Sequence, residues 1–196
     1  VSEYRFFDPA CPPEWTTPAW YAGRARAPHL EESEQRHRMD LAADFIGDAV
    51  IDYRVRSLSD MGAGDGGLLW LVRHIPIDAW GYDLQRTNVE GAKERDVKVT
   101  KADVVNDQDL RWGELVVVTE VLEHLTCPHC FVAHIPPTSR VVVASTPDGE
   151  TPEKHYEFHL WGWDMEGFRT MFEDRGWAVV RHETDGQTQV LMGVRA

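Results

Sequence analysis

Cysteine is scarce in this chain, no long apolar run occurs, and positive charge is short relative to negative. No apolar stretch approaches the roughly 20 residues that cross a bilayer, and the opening VSEYRFFDPACPP lacks the charged-then-apolar order of a secretory signal. The expectation is a cytoplasmic protein with no membrane partner. Three cysteines, Cys11, Cys127 and Cys130, are too few and too unevenly spaced for a disulfide framework. An odd count suits a reducing compartment, so all three are expected as thiols. Lysine and arginine total 20 against 33 acidic residues, a net charge of −13. That balance repels polyanions unless basic side chains gather on one face, so long nucleic acid is disfavoured as a partner. A chain of 196 residues suits one domain with a proper core.

Three stretches follow one another. Residues 1–28 carry Pro9, Pro12, Pro13, Pro18 and Pro28 among Trp15, Trp20 and Tyr21, a mix that resists regular structure yet can pack over an apolar surface. This reads as an arm or lid. Residues 29–50 form a leading helix, because Met39, Ala42, Ala43, Phe45, Ile46, Ala49 and Val50 recur at three- and four-residue spacing with charges between. Residues 51–196 alternate β-rich runs with helical ones, the pattern of crossovers in a parallel sheet. GELVVVTE and SRVVVAST are continuous β-branched runs, as strands buried on both faces require, with a helix expected between them from Val121 to His134. A helix capped by Asp164 and closed by Gly176 follows. Asp185-Gly186 between the last two β-rich runs predicts an antiparallel hairpin, with the seventh strand tucked in beside the sixth.

The first chemical signal is Asp60-Met61-Gly62-Ala63-Gly64-Asp65-Gly66-Gly67, where a strand turns into a helix and glycines let the backbone approach a ligand. Gly62, Gly64 and Gly67 also fit the GxGxxG spacing of dinucleotide enzymes. Asp83 ends the next strand, where a carboxylate can accept from both hydroxyls of a ribose. Asp103 ends the third, placed either to pair with an adenine amine or to cap a helix.

DMGAGDGG, GYD, KAD and TEVLEHL, in that order and spacing, resemble motifs I to IV of class I S-adenosylmethionine-dependent methyltransferases, over roughly Ile51 to the C-terminus. The resemblance implies an α/β fold: a seven-stranded Rossmann-like sheet, mostly parallel with an antiparallel last strand, and helices on both faces. It further implies S-adenosyl-L-methionine as cofactor, with Gly62, Ala63 and Gly64 along its amino-acid part and Asp83 on the ribose. Asp103 would contact adenine, Leu84 and Val104 adjoin these positions, and Thr119 or Glu120 lies near the sulfonium. Asp60, just before the glycines, favours this family over dehydrogenases, which also leave the terminal hairpin unexplained.

Glu120, Glu123 and His124 then stand at i, i+3 and i+4, so all three are expected to project from one face of the first turns of a helix, beside the cofactor methyl. His159, in HLWGWD, follows at the sheet's carboxyl edge, with His155 as a substitute. Two carboxylates and two imidazoles suit a divalent cation such as Mg²⁺ or Mn²⁺ acting as Lewis acid on a hydroxyl; alternatively His124 and Glu120 act without metal. The E-x-x-E-H element with a later histidine resembles both 3′-terminal RNA 2′-O-methyltransferases and ubiquinone-pathway O-methyltransferases. Cys127-Pro128-His129-Cys130 has zinc-like spacing but no second ligand pair. Trp161 and Trp163 either wall an acceptor or pack beneath the loop.

The expected activity is O-methylation of a small-molecule acceptor, a glycan or secondary metabolite, enclosed by residues 1–28 and 146–163. Rivals are methylation of RNA 3′ ends, with a groove drawn from Arg24, Arg26, Arg36 and Arg38, and a non-catalytic cofactor-binding partner.

Overall fold

The computed structural model describes residues 2–26, 28, 30–31 and 33–195. Nine strands and six α-helices alternate among them. Seven strands form one sheet: β2 (Ser57–Met61), β3 (Asp78–Asp83), β4 (Val99–Lys101), β5 (Leu115–Thr119), β6 (Val141–Pro147), β8 (Ala178–Thr184) and β9 (Thr188–Val194). Their order is β4-β3-β2-β5-β6-β9-β8. β9 alone runs against the direction of the other six strands, inserted between β6 and β8. The turn that sends it back is Asp185-Gly186: Asp185 Oδ1 accepts the N–H groups of Gln187 and Thr188, both at 2.8 Å, and Gly186 takes φ 87°.

Strand alternation divides the core in two. Leu115, Val117, Val141, Val143, Val190 and Met192 face α2 (Ser33–Tyr53), α3 (Gly67–Leu71) and α4 (Arg86–Glu94). Val116, Val118, Val142, Ala144 and Leu191 face α5 (Pro128–His134) and α6 (Met165–Glu173). This is why the central runs are apolar without a period: both faces are covered. Phe45, Ile46 and Ala49 of α2 are fully buried, each larger side chain worth about 1.5–3 kcal/mol on leaving water. Asp164 caps α6 by accepting Gly167 N–H at 2.7 Å.

Several expectations are corrected. The leading helix extends to Tyr53 rather than ending at residue 50, and its expected start at His29 lies outside the described residues. No helix runs from Val121 to His134. Instead a 3₁₀ turn over Leu122–His124 ends at Leu125 in extended backbone, and α5 restarts at Pro128. Proline tolerates the first helical turn but disfavours helix in the residue before it, so the break falls where sterics put it. Cys127 and Cys130 are joined in a disulfide rather than present as thiols; Cys11 is free.

The arm is also more regular than its prolines suggest. β1 (Glu3–Arg5) pairs antiparallel with β7 (Trp161–Trp163), giving residues 146–163 a strand as well. α1 (Pro18–Ala22) starts on a proline at the position where its missing N–H costs nothing. Glu3 clasps the ribbon: its Oε2 accepts the indole N–H of the buried Trp163 at 2.7 Å. Glu3→Ala should therefore leave that indole N–H unsatisfied and cost about 1–3 kcal/mol, read as a lower urea midpoint, with Glu3→Gln recovering most of the loss.

Candidate active site

The strand order reverses between β2 and β5, so the carboxyl ends of these strands open a crevice at the switch point. A 970 Å³ cavity occupies it. Asp60, Gly62, Ala63, Gly64, Asp83, Leu84, Asp103, Val104 and Thr119 all line this one space, and so do Glu120, Glu123, His124 and His159.

On one side lies the glycine loop. Gly62 and Ala63 donate N–H bonds to the Tyr82 carbonyl at 2.9 and 2.8 Å, and Gly64 N–H donates to Asp83 Oδ2 at 2.8 Å. Gly62 has φ 101°, and a Cβ there would collide with the Val121 side chain. The loop thus exposes bare backbone to the cavity. Asp83 Oδ1 also accepts from Gln85 N–H at 2.8 Å and from Asn88 Nδ2 at 3.2 Å, which fixes the carboxylate's orientation. Asp60 is buried. Burial, then the neighbouring Asp83, push its carboxyl up to about 7, and its Oδ1 has no hydrogen-bond partner among the described residues. Asp103 folds into an Asx turn, its Oδ1 accepting Val105 N–H at 3.0 Å, while still bordering the cavity.

Opposite lies the turn after β5. Glu120 has φ 55°, unusual for a residue with a side chain. Its carboxylate is held by Arg38 of α2 at 3.0 Å and by the Ser145 hydroxyl at 2.9 Å. Glu120 is thus committed to an ion pair, and it does not share a helix face with Glu123 and His124. Those two instead converge with His159: each of the three offers one ligand atom, all within 4.8 Å of one another. His124 Nδ1–H donates to the Phe158 carbonyl at 3.0 Å, and His159 Nδ1–H donates to Glu150 Oε2 at 2.7 Å. Oxygen acceptors at both Nδ1 atoms leave the Nε2 atoms as the available lone pairs. Burial, then His159, push His124 down to about 3, so it is neutral. Glu123 Oε2 accepts from Thr146 Oγ1 at 3.3 Å, while its buried Oε1 has no partner among the described residues. Burial, then Glu120, hold its carboxyl well above the usual carboxylate range. His155 points elsewhere, stacked on Phe6 at 4.0 Å.

The arm closes one wall. Thr16, Pro18, Tyr21, Arg24 and Ala25 border the cavity. Trp20 packs on Phe158 at 5.0 Å, and Tyr21 meets His124 edge-on at 6.1 Å. The Tyr21 hydroxyl is buried without a partner among the described residues, and burial, then Glu123, lift its pKa to about 12. Trp161 and Trp163 are buried and stacked on each other, 6.1 Å apart, and the aromatic lining comes instead from Tyr21, Phe131 and Tyr156.

Sequence reasoning missed the anchor of that arm. Asp65, in the glycine loop and fully buried, bridges Arg26 of the arm at 3.0 Å and Arg95 after α4 at 2.8 Å. It also missed Glu150, the partner of His159. Neither carries a local signal, because the pairs are 39, 30 and 9 residues apart. The arginines proposed as a groove are largely engaged: Arg26 also pairs with Glu94, Arg36 with Asp40 and Arg38 with Glu120, and Arg24 lies over Trp20.

No family model and no curated protein matches the chain. Solved structures do. Magnesium protoporphyrin IX methyltransferase (ChlM) from Synechocystis PCC 6803 with bound SAH aligns with a TM-score of 0.68 at 15% identity, over 90% of this chain and 91% of that one. The methyltransferase domain of bacterial CtHen1-C aligns at 0.62 and 20% identity, over 81% and 97%. The N-terminal domain of EvdMO1, solved with SAH and D-fucose, aligns at 0.60 and 17% identity, over 81% of this chain and 82% of that one. The fold is that of the class I, Rossmann-like S-adenosylmethionine-dependent methyltransferases.

Asp65→Ala should strip the partly buried Arg95 of a buried carboxylate and cost about 3 kcal/mol in urea unfolding. Arg26→Ala, whose side chain is 29% exposed, should cost clearly less.

Proposed function

We propose that this chain is an S-adenosyl-L-methionine-dependent O-methyltransferase whose acceptor is the hydroxyl of a small molecule, a glycan or secondary metabolite. The observation that carries the reading is the meeting, in one cavity, of a bare glycine loop with Asp60 and Asp83 on one side and of Glu123, His124 and His159 on the other.

The residues suit the cofactor. Asp60 Oδ1, buried and without a partner among the described residues, calls for a donor, and an amino acid's ammonium is one. Gly62 and Gly64 leave room for close approach, and Asp83 offers acceptors to ribose hydroxyls. S-adenosylmethionine, when bound, supplies the methyl group and its own leaving group. The chain's task is then to place the acceptor oxygen in line and to handle its proton.

The residues also suit a divalent cation. Three lone-pair donors, Glu123, His124 and His159, converge in a buried place with no donor among them, an arrangement that a cation or a shared proton must satisfy. Glu123, His124 and His159 would hold Mg²⁺ or Mn²⁺, which would supply a Lewis acid for the acceptor hydroxyl. Phe158 and Glu150 orient the two rings, Thr146 orients Glu123, and the Tyr21 wall keeps water away from the reacting oxygen. Glu120, held by Arg38 and Ser145, shapes the turn that presents them.

One observation favours a second reading, methylation of RNA 3′ ends: the donor set falls on the E-x-x-E-H element and the later histidine. The ion-paired arginines and the negative net charge weigh against it.

Two measurements test the proposal. The raised pKa of Asp60 means that in the free protein this carboxyl is protonated below about pH 7 and ionises as pH rises through it, while a bound ammonium favours the ionised form. SAH affinity should therefore rise from about pH 6 to about pH 8 with release of a proton, and Asp60→Asn should flatten that dependence in calorimetry. By the same sign, the unliganded protein loses stability as pH climbs from the ordinary carboxylate range through about 7. Titration of Mn²⁺ into SAH-saturated protein should show one site, abolished by His159→Ala and weakened about 10–100-fold by Glu150→Ala. An unaltered Mn²⁺ isotherm in His159→Ala would sink the cation site, and no Mn²⁺ binding at all would leave His124 to act without metal.

A further inference from the structure

Cys127 and Cys130 form a disulfide at the start of α5, and both residues border the same cavity as His124, which precedes Cys127 by three residues. Cys130 is exposed to solvent. The bond encloses only Pro128 and His129, and so short a loop removes little freedom from the unfolded chain. Its effect is local: it fixes the path that continues directly from the Glu123–His124 turn into α5. That path is tied to the rest of the fold from outside the cavity, by Trp161 Nε1–H to the Leu125 carbonyl at 2.9 Å and by Arg175 Nε–H to the His129 carbonyl at 3.0 Å. Nothing in the proposed methyl transfer uses either sulfur. A bond that is exposed, borders the cavity and contributes little to global stability has the attributes of a reactive site.

We propose that Cys127–Cys130 is a reversible thiol–disulfide site whose state sets the affinity of the cavity for its cofactor. This rests on the reading of the cavity as an S-adenosylmethionine site. The co-reactant is a dithiol. Its thiolate attacks the exposed Cys130 sulfur, the Cys127–Cys130 bond breaks and Cys127 leaves as a thiolate. The Cys130 N–H, which donates to Cys127 Sγ at 3.2 Å, stabilises that charge. The second thiol of the reductant then displaces Cys130. Two electrons and two protons have passed to the cysteines, and the reductant ends as its own disulfide. The oxidised pair holds the cavity wall from Leu125 to Phe131 in the shape the cofactor needs; the reduced pair lets it relax, so binding must reorder it.

The test uses the Cys11→Ser chain, so that only this pair reacts, and SAH as the probe. Alkylation and mass measurement should show the pair bonded in oxidised glutathione and free in dithiothreitol, reversibly. Calorimetry should show SAH bound at least about fivefold more tightly in the oxidised state, the lower end of typical coupling between sites. Reciprocity demands that SAH protect the bond from reduction by the same factor, about 20 mV for fivefold in a two-electron couple. Adding Cys130→Ser should give the weaker affinity in both buffers. Two free thiols in oxidised glutathione, or equal SAH affinity in the two states, would overturn the proposal while leaving the cofactor reading intact. No SAH binding in either state would overturn the cofactor reading, and this proposal with it.

Discussion

The space that a Cβ at Gly62 would need is filled by the side chain of Val121. Gly62 opens the loop after β2, and Val121 belongs to the turn after β5; these strands are neighbours only because the sheet order reverses between them. A single van der Waals contact therefore joins the wall that would carry the cofactor to the wall that would carry the acceptor. Close-packed interiors transmit displacement rather than absorb it, so the two walls keep their separation together. Glu120 adds to this constraint. Its left-handed backbone turns the chain sharply, its ion pair with Arg38 fastens the turn to α2, and the Leu160 N–H bond to the Glu123 carbonyl at 2.7 Å ties it to the segment that brings His159.

Four buried acids, Asp60, Asp65, Asp83 and Glu123, mark the cavity and its rim, and they do not share one fate. Asp65 is neutralised by two arginines and so fastens the arm to the glycine loop. Asp60 and Glu123 each keep a buried oxygen without a partner among the described residues, and each has a raised pKa for which desolvation is the largest cause. In the proposed reading, these acids on opposite walls would ionise on meeting cationic partners, an ammonium at one end and a divalent ion at the other.

The sheet was legible because its signals are local. Runs of β-branched residues marked the central strands, Asp185-Gly186 marked the hairpin, and glycines between Asp60 and Gly67 marked the loop, each within a few residues. That Asp60, Gly62, Ala63, Gly64, Asp83, Leu84, Asp103, Val104 and Thr119 would line one space was legible for the same reason, since each stands at or just beyond the end of a strand. The helix expected from Val121 to His134 is interrupted at Pro128, whose ring disfavours helix in the residue before it and whose missing N–H suits the first turn of a new helix. The arm's strand was hidden because Glu3–Arg5 acquires its partner from Trp161–Trp163 at the other end of the chain.

The sequence by itself determined an alternating α/β order, the reversal that its last hairpin requires, and the set of acids and histidines from which a site could be built. Which of these meet was decided by tertiary structure alone. Folding withdrew Glu120 into an ion pair with Arg38, chose His159 over His155 by burying it against Glu150, joined Cys127 to Cys130, and turned four arginines from a conceivable groove into ion pairs and an aromatic stack. The physical reason is range. Backbone preferences act over a few residues and can be read along the chain, whereas charge pairing and burial depend on which side chains the packed strands and helices bring within a few ångströms of one another.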